Sequence, residues 1–131
     1  MASGDEAPPA GEPAIRVVAM PADTNPNGDI FGGWLVSMMD LAAGTLASRT
    51  SKGRSATVAI DGMIFHRPVK VGDVVSVYAE IETVGRTSMR VGVTAWRQSR
   101  DGSQRERVTQ ATITFVAIDD QGRPRAVHEQ A

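Results

Sequence analysis

The sequence contains no cysteine. Disulfides, thiolate metal sites and a cysteine nucleophile are therefore excluded, and a reducing compartment is compatible with the chain. No run of about 18 apolar residues occurs, so a membrane-spanning helix is not expected. The first residues, MASGDEAPPAGEP, are acidic and proline-rich rather than basic and then apolar, and no signal peptide is expected either. Neither sign of charge prevails: 14 Lys and Arg face 15 Asp and Glu, for a formal net charge of -1. That balance gives no reason to expect a nucleic acid or a membrane surface as partner. These absences lead to the expectation of a soluble, cytoplasmic protein. With 131 residues it is one domain with a modest core.

What is present centres on the stretch from Asn25 to Gly44, NPNGDIFGGWLVSMMDLAAG, a polar glycine-rich turn feeding an apolar helix with one acid, Asp40. Leu35, Met38, Met39, Ala42 and Leu46 recur at spacings of three and four, the period of a helix laid against a core. Val36, Ser37, Asp40, Ala43, Gly44 and Ala47 fall on a different face, so Asp40 sits among small and apolar side chains. A carboxylate is costly there unless something pairs with it or uses it. On the residues alone, Asp40 is either a helix acid paired with an arginine or a working carboxylate. Gly32 and Gly33 stand where the helix begins, and backbone N–H groups without intrahelical partners can point there at a developing negative charge. That is the arrangement an oxyanion hole needs. Gly32 and Asp40 are eight residues apart, about 12 Å of axial rise. One helix does not easily place both on one carbonyl, whereas a second, antiparallel copy across a two-fold axis would. The spacing thus points to a dimer.

Other chemistries are weaker. DTNPNGD, from Asp23 to Asp29, fits the start of a calcium loop with oxygens at Asp23, Asn25 and Asn27, but position twelve is Trp34 rather than glutamate. A phosphate loop would need Lys-Ser or Lys-Thr after Gly32-Gly33, and neither follows. His66 and His128 form no cluster with metal-ligand spacing and read as structural or exposed. No metal is expected.

In order along the chain, residues 1–13 read as a flexible tail, IRVVAM (Ile15 to Met20) as a strand, and Gly53 as a stop signal near the helix end. Ala56 to Phe65 is rich in β-branched and apolar residues, and HRPVKVGD supplies a turn. Val74 to Val84, Met89 to Gln98 and Val108 to Ile118 read as strands, with Gly85-Arg86 and Asp101-Gly102 as tight connections. Arg97, Arg100, Arg105 and Arg107 read as a solvated hairpin, and DDQGRPRAVHEQA as a loose polar tail. One strand, one helix and four more strands make an α+β pattern: an antiparallel sheet wrapped around one long central helix, which is the hotdog arrangement.

MPADTNPNGDIFGGWLVSMMD, followed by VAIDGMIFHRPVKVGDVVSVYAEIETVGRTSM, resembles the YciA-like group of bacterial acyl-CoA thioesterases, over about residues 15–127. The resemblance implies a hotdog domain at residues 14–127 between an N-terminal tail (1–13) and a C-terminal one (128–131), and hydrolysis of acyl-CoA to free acid and coenzyme A. It implies that Asp40 is general base or nucleophile, that the Gly32 N–H polarises the thioester carbonyl, and that Asn25 holds water or carbonyl. Asp29 matches a position with a catalytic or positioning role. Coenzyme A would be met by Arg67, Lys70, Arg86, Thr87 and Ser88, with Arg123 and Arg125 reaching a phosphate from the C-terminal side. Trp34, Met38 and Met39 would line the acyl pocket or simply fill the core. Coenzyme A enters as part of the substrate, so no cofactor is expected, and dimers are expected to assemble into a trimer of dimers, a hexamer. The rival from another class is a non-catalytic acyl-CoA sensor on the same fold. A dehydratase would generally carry a helix histidine, which this helix lacks.

Overall fold

The computed structural model describes residues 7–128. Parts of both expected tails, residues 1–6 and 129–131, lie outside the described residues. The elements follow the order β1 (Ile15–Val18), α1 (Gly32–Ser51), β2 (Ser55–Asp61), β3 (Val74–Val84), β4 (Ser88–Gln98) and β5 (Arg105–Ala117), with a short 3-10 turn at Pro21–Asp23. Their spatial order in one sheet is β1-β3-β4-β5-β2, and every neighbouring pair is antiparallel. β3, β4 and β5 form the middle because each alternates apolar and polar residues at the period of a pleated strand. Val75 and Val77, then Met89, Val91 and Val93, then Ile113, Phe115 and Ala117, are buried on the face that covers α1.

α1 buries Leu35, Met39, Ala42, Ala43, Ala47 and Ser51. Ala43 and Ala47, expected on the face of Asp40, belong to the core stripe instead. Their small side chains let the curled sheet approach the helix backbone, and Leu46 is only half-buried as a result. Helix α1 ends at Lys52, which takes the left-handed conformation at φ 55°, rather than at the glycine expected to stop it. Gly53 matters for space: a Cβ there would collide with the Arg125 guanidinium.

Two charged regions differ from expectation. Arg97 is not part of a solvated hairpin: it is 8% exposed, and its fork holds Asp73 through Nε at 2.6 Å and Nη2 at 3.2 Å, and Glu106 through Nη1 at 2.6 Å. The hydrogen bond to Asp73 holds its pKa above the ordinary arginine value, against the opposing effect of burial. The chain after Ile118 is not loose: Val127 is buried and its N–H donates to the Arg86 carbonyl at 2.8 Å. A polar sequence conceals this attachment because its partners are backbone carbonyls.

Candidate active site

The glycine-rich turn is closed by its own backbone. Asn25 donates its N–H to the Asp29 carbonyl at 2.7 Å, and its Oδ1 accepts from the N–H of Asn27 at 2.9 Å and of Asp29 at 3.2 Å. This Asx turn fixes the orientation of the amide and occupies an oxygen that the calcium reading would have assigned to a cation. Gly28 takes φ 85°, a left-handed position that suits glycine. The Phe31 N–H donates to Asp23 O and the Ile30 N–H to Val69 O, both at 3.0 Å, which delivers the chain to the helix start. No side chain caps α1 at Phe31, and Gly32 lines a cavity of about 420 Å³ together with Asn25, Phe65 and Arg67. A Cβ on Gly32 would lie 3.3 Å from the Phe65 ring that crosses the first turn, a tight contact that the ring would have to ease by a small shift.

Asp40 lies two turns further along α1, half-buried, and its Oδ1 accepts from Thr57 Oγ1 at 2.6 Å. It opens on a separate groove of about 660 Å³, lined by Leu41, Gly44, Ser48, Ser55, Thr57 and Phe115. The partner of Asp40 is thus a hydroxyl rather than an arginine. β2 leaves the end of α1 and runs back along it, with Ser55 Oγ 3.0 Å from Ser48 Oγ and Thr57 at Asp40. Thr57 and Phe65 were missed in the sequence; only the return of β2 and of the segment after it brings them to the helix.

Within one chain the carboxylate and the open helix terminus face different cavities, as their spacing requires. The sequence profile of the thioesterase superfamily matches residues 27–103, a span that holds both. The chain belongs to the thioesterase superfamily. The acyl-CoA thioester hydrolase YciA of Escherichia coli is 47% identical over 122 residues, covering 91% of this chain and 92% of its own. The hexameric thioesterase y2039 of Yersinia pestis superposes with a TM-score of 0.87 at 48% identity, over 93% of this chain and 99% of that one. A hexameric hotdog fold thioesterase of Campylobacter jejuni gives 0.84 at 38% identity, over 90% and 91%. The sheet and helix described above are the hotdog fold.

For a thioesterase of this superfamily, the remaining expected residues fall into two groups at opposite ends of α1. At its start, Arg67 lines the Gly32 cavity while bonded to Glu106 Oε2 at 3.0 Å and the Arg107 carbonyl at 2.7 Å. Lys70 and Asp29, expected to bind coenzyme A and to assist catalysis, pair with each other. At its end, the turn of Arg86, Thr87 and Ser88 meets the C-terminal segment, with Val127 bonded to Arg86 and Ala117 to Thr87. Arg123 is exposed in a turn closed on Asp119. Arg125, expected to reach a phosphate, donates instead to the carbonyls of Ile118 at 2.9 Å, Ser51 at 3.0 Å, Ala126 at 3.2 Å and Arg54 at 3.3 Å. Met39 is in the core at 0% exposure, whereas Trp34 and Met38 are half-buried; none of the three lines the Asp40 groove.

Proposed function

We infer that the chain is an acyl-CoA thioesterase, a hydrolase that cleaves acyl-CoA to a free carboxylic acid and coenzyme A. The observation that carries this reading is the Asp40 carboxylate, held on one oxygen by Thr57 and open to a groove, in a chain of this superfamily. The thioester carbonyl accepts a hydrogen bond from the Gly32 N–H, at the positive end of the helix dipole, and a second from the amide nitrogen of Asn25. Thr57 holds Oδ1, which leaves Oδ2 of Asp40 to take a proton from an attacking water. The tetrahedral intermediate collapses with cleavage of the carbon–sulfur bond, and the proton on Asp40 passes to the departing thiolate. Coenzyme A is thus a product, and the reaction as written draws on no metal or cofactor.

The two halves of the site come together between two copies of the chain, the Asp40 of one against the Asn25–Gly32 cavity of the other. β2 is an edge strand, and beside it Leu41, Val58, Ile60, Ile64, Phe65 and Phe31 are exposed, from 41% at Ile60 to 65% at Ile64. An open edge flanked by apolar side chains favours pairing with a second chain. An oligomer built of such dimers, three to a hexamer, agrees with the hexameric Yersinia and Campylobacter thioesterases. Coenzyme A phosphates are met by Arg86, Thr87, Ser88 and Arg123 at one end of α1 and by Arg67 and Lys70 at the other. Trp34 and Met38 border the acyl chain. Free-thiol release from short- to long-chain acyl-CoAs, with a chelator present and Asp40→Asn alongside, tests the reading. Expected is metal-independent release that falls about 10²- to 10⁴-fold in the mutant with Tm retained. An equally active mutant would overturn the role of Asp40. Tight binding without release would favour the sensor.

A further inference from the structure

Besides the start of α1 and Val108 of β5, the walls of the Asn25–Gly32 cavity come from two segments, the turn that ends in Ile30–Phe31 and the stretch 65–69 between β2 and β3. Both are tied to one buried guanidinium, and the second is also bonded to β5 directly, with Thr109 Oγ1 donating to the Ile64 carbonyl at 2.6 Å. On one branch, Arg97 holds Asp73, whose Oδ2 also accepts the Lys70 N–H at 2.8 Å, and so fixes the turn before β3. That turn in turn holds the helix start, because the Val69 carbonyl accepts the Ile30 N–H and Lys70 pairs with Asp29. On the other branch, Arg97 holds Glu106, whose second oxygen takes Arg67 Nε. Arg67 then bonds Arg107 O, which sets the position of Arg67 beside the Phe65 that lies across Gly32, while the neighbouring His66 N–H bonds Val108 O at 2.8 Å without passing through Arg97.

We propose that Arg97 is a positioning residue for the oxyanion half of the site: its fork sets the separation between the first turn of α1 and the segment carrying Phe65 and Arg67. The inference rests on the thioesterase reading given above. Arginine suits the task because its planar fork binds two carboxylates in fixed directions, whereas a lysine ammonium is a point charge without a preferred plane. Asp40 and Thr57, bonded to each other, line a different cavity from the one this network borders. Its loss would therefore displace one half of the site and leave the other in place.

Arg97→Lys keeps the charge and removes the fork. The expected result is a kcat lower by about 10- to 100-fold, the size of effect that misplacement by about 1 Å produces, with KM changed far less. A purely structural role would lower the folded fraction, so kcat is taken per folded oligomer, with Tm and assembly measured in parallel. The specific readout is coupling: losses from Arg97→Lys and Asn25→Ala should be less than additive, whereas those from Arg97→Lys and Thr57→Ala should add. Glu106→Gln, on a partly exposed carboxylate, loosens only the second branch. It should show the same pattern at smaller amplitude, and it serves as the measurement if Arg97→Lys does not fold. Unchanged kcat in folded variants, or additivity with Asn25→Ala, overturns the positioning role while wild-type turnover leaves the thioesterase reading standing. A wild type that releases no thiol from any acyl-CoA overturns both.

Discussion

The two ends of α1 are built in opposite ways. At the last turn, four backbone carbonyls, among them that of Ser51, converge on the Arg125 guanidinium, and Lys52 closes the helix in a left-handed cap. At the first turn, no side chain caps Phe31, Gly32 lines a cavity, and apolar rings stand exposed beside it. Helix termini carry unsatisfied backbone groups that must find partners somewhere. At one end the carbonyls of Ser48 and Ser51 find donors within the chain, the latter in Arg125, which also bonds the segment after β5. At the other no side chain caps the helix, and under the proposed function the Gly32 N–H there donates to the thioester carbonyl.

The largest way to break this contrast is at the open end. Gly32→Pro removes the N–H while keeping a residue compatible with the first helical position. It should lower kcat about 10²- to 10³-fold with little change in Tm. Gly32→Ala, which keeps the N–H, is the control for crowding against Phe65, and equal losses in both would assign the effect to the ring. Mixing Gly32→Pro with Asp40→Asn subunits sharpens the point: random pairing restores one intact site in half the dimers, or about one quarter of wild-type turnover. No recovery after subunit exchange would place both groups in one chain.

At the closed end the effect should be on stability. Arg125→Met removes charged donors from carbonyls and should cost about 2 kcal/mol, read as a lower Tm at matched protein concentration, with kcat and KM retained. A raised KM with unchanged Tm would return Arg125 to coenzyme A. Smallest of all is the effect expected at the β4–β5 turn, on the exposed Asp101. There Ser103 and Ser99 hydroxyls and the Ser103 N–H lower the Asp101 pKa from 3.8 to about 2. A carboxylate with a depressed folded-state pKa stabilises above its unfolded value and loses that contribution as pH falls through the folded one. Acid unfolding between about pH 4 and pH 2 should therefore be slightly less steep in Asp101→Asn, followed by circular dichroism.

The order of elements was legible because strands and helix differ in period. β3 and β5 alternate, α1 repeats at three and four, and Gly85-Arg86 and Asp101-Gly102 mark the turns. Asp40 and Gly32 stood out for the same reason, one as an acid in an apolar helix and the other as a glycine at its start. Thr57, Phe65 and the Arg97 network were not legible. Threonine, phenylalanine and arginine are common in strands and hairpins, and nothing local separates Arg97, with its two carboxylates, from the exposed Arg100.

By itself, then, the sequence determined the periodic elements, the single acid of α1 and the distance that keeps it from Gly32, since these depend on residue type and spacing along one chain. Only the tertiary structure decided that Asp40 is held by Thr57, that Arg125 closes the helix end and that Arg97 joins Asp73 to Glu106. Each of those contacts joins residues brought together by sheet pairing and the return of β2, and hydrogen bonds depend on angstrom-scale direction that no pattern of polarity encodes.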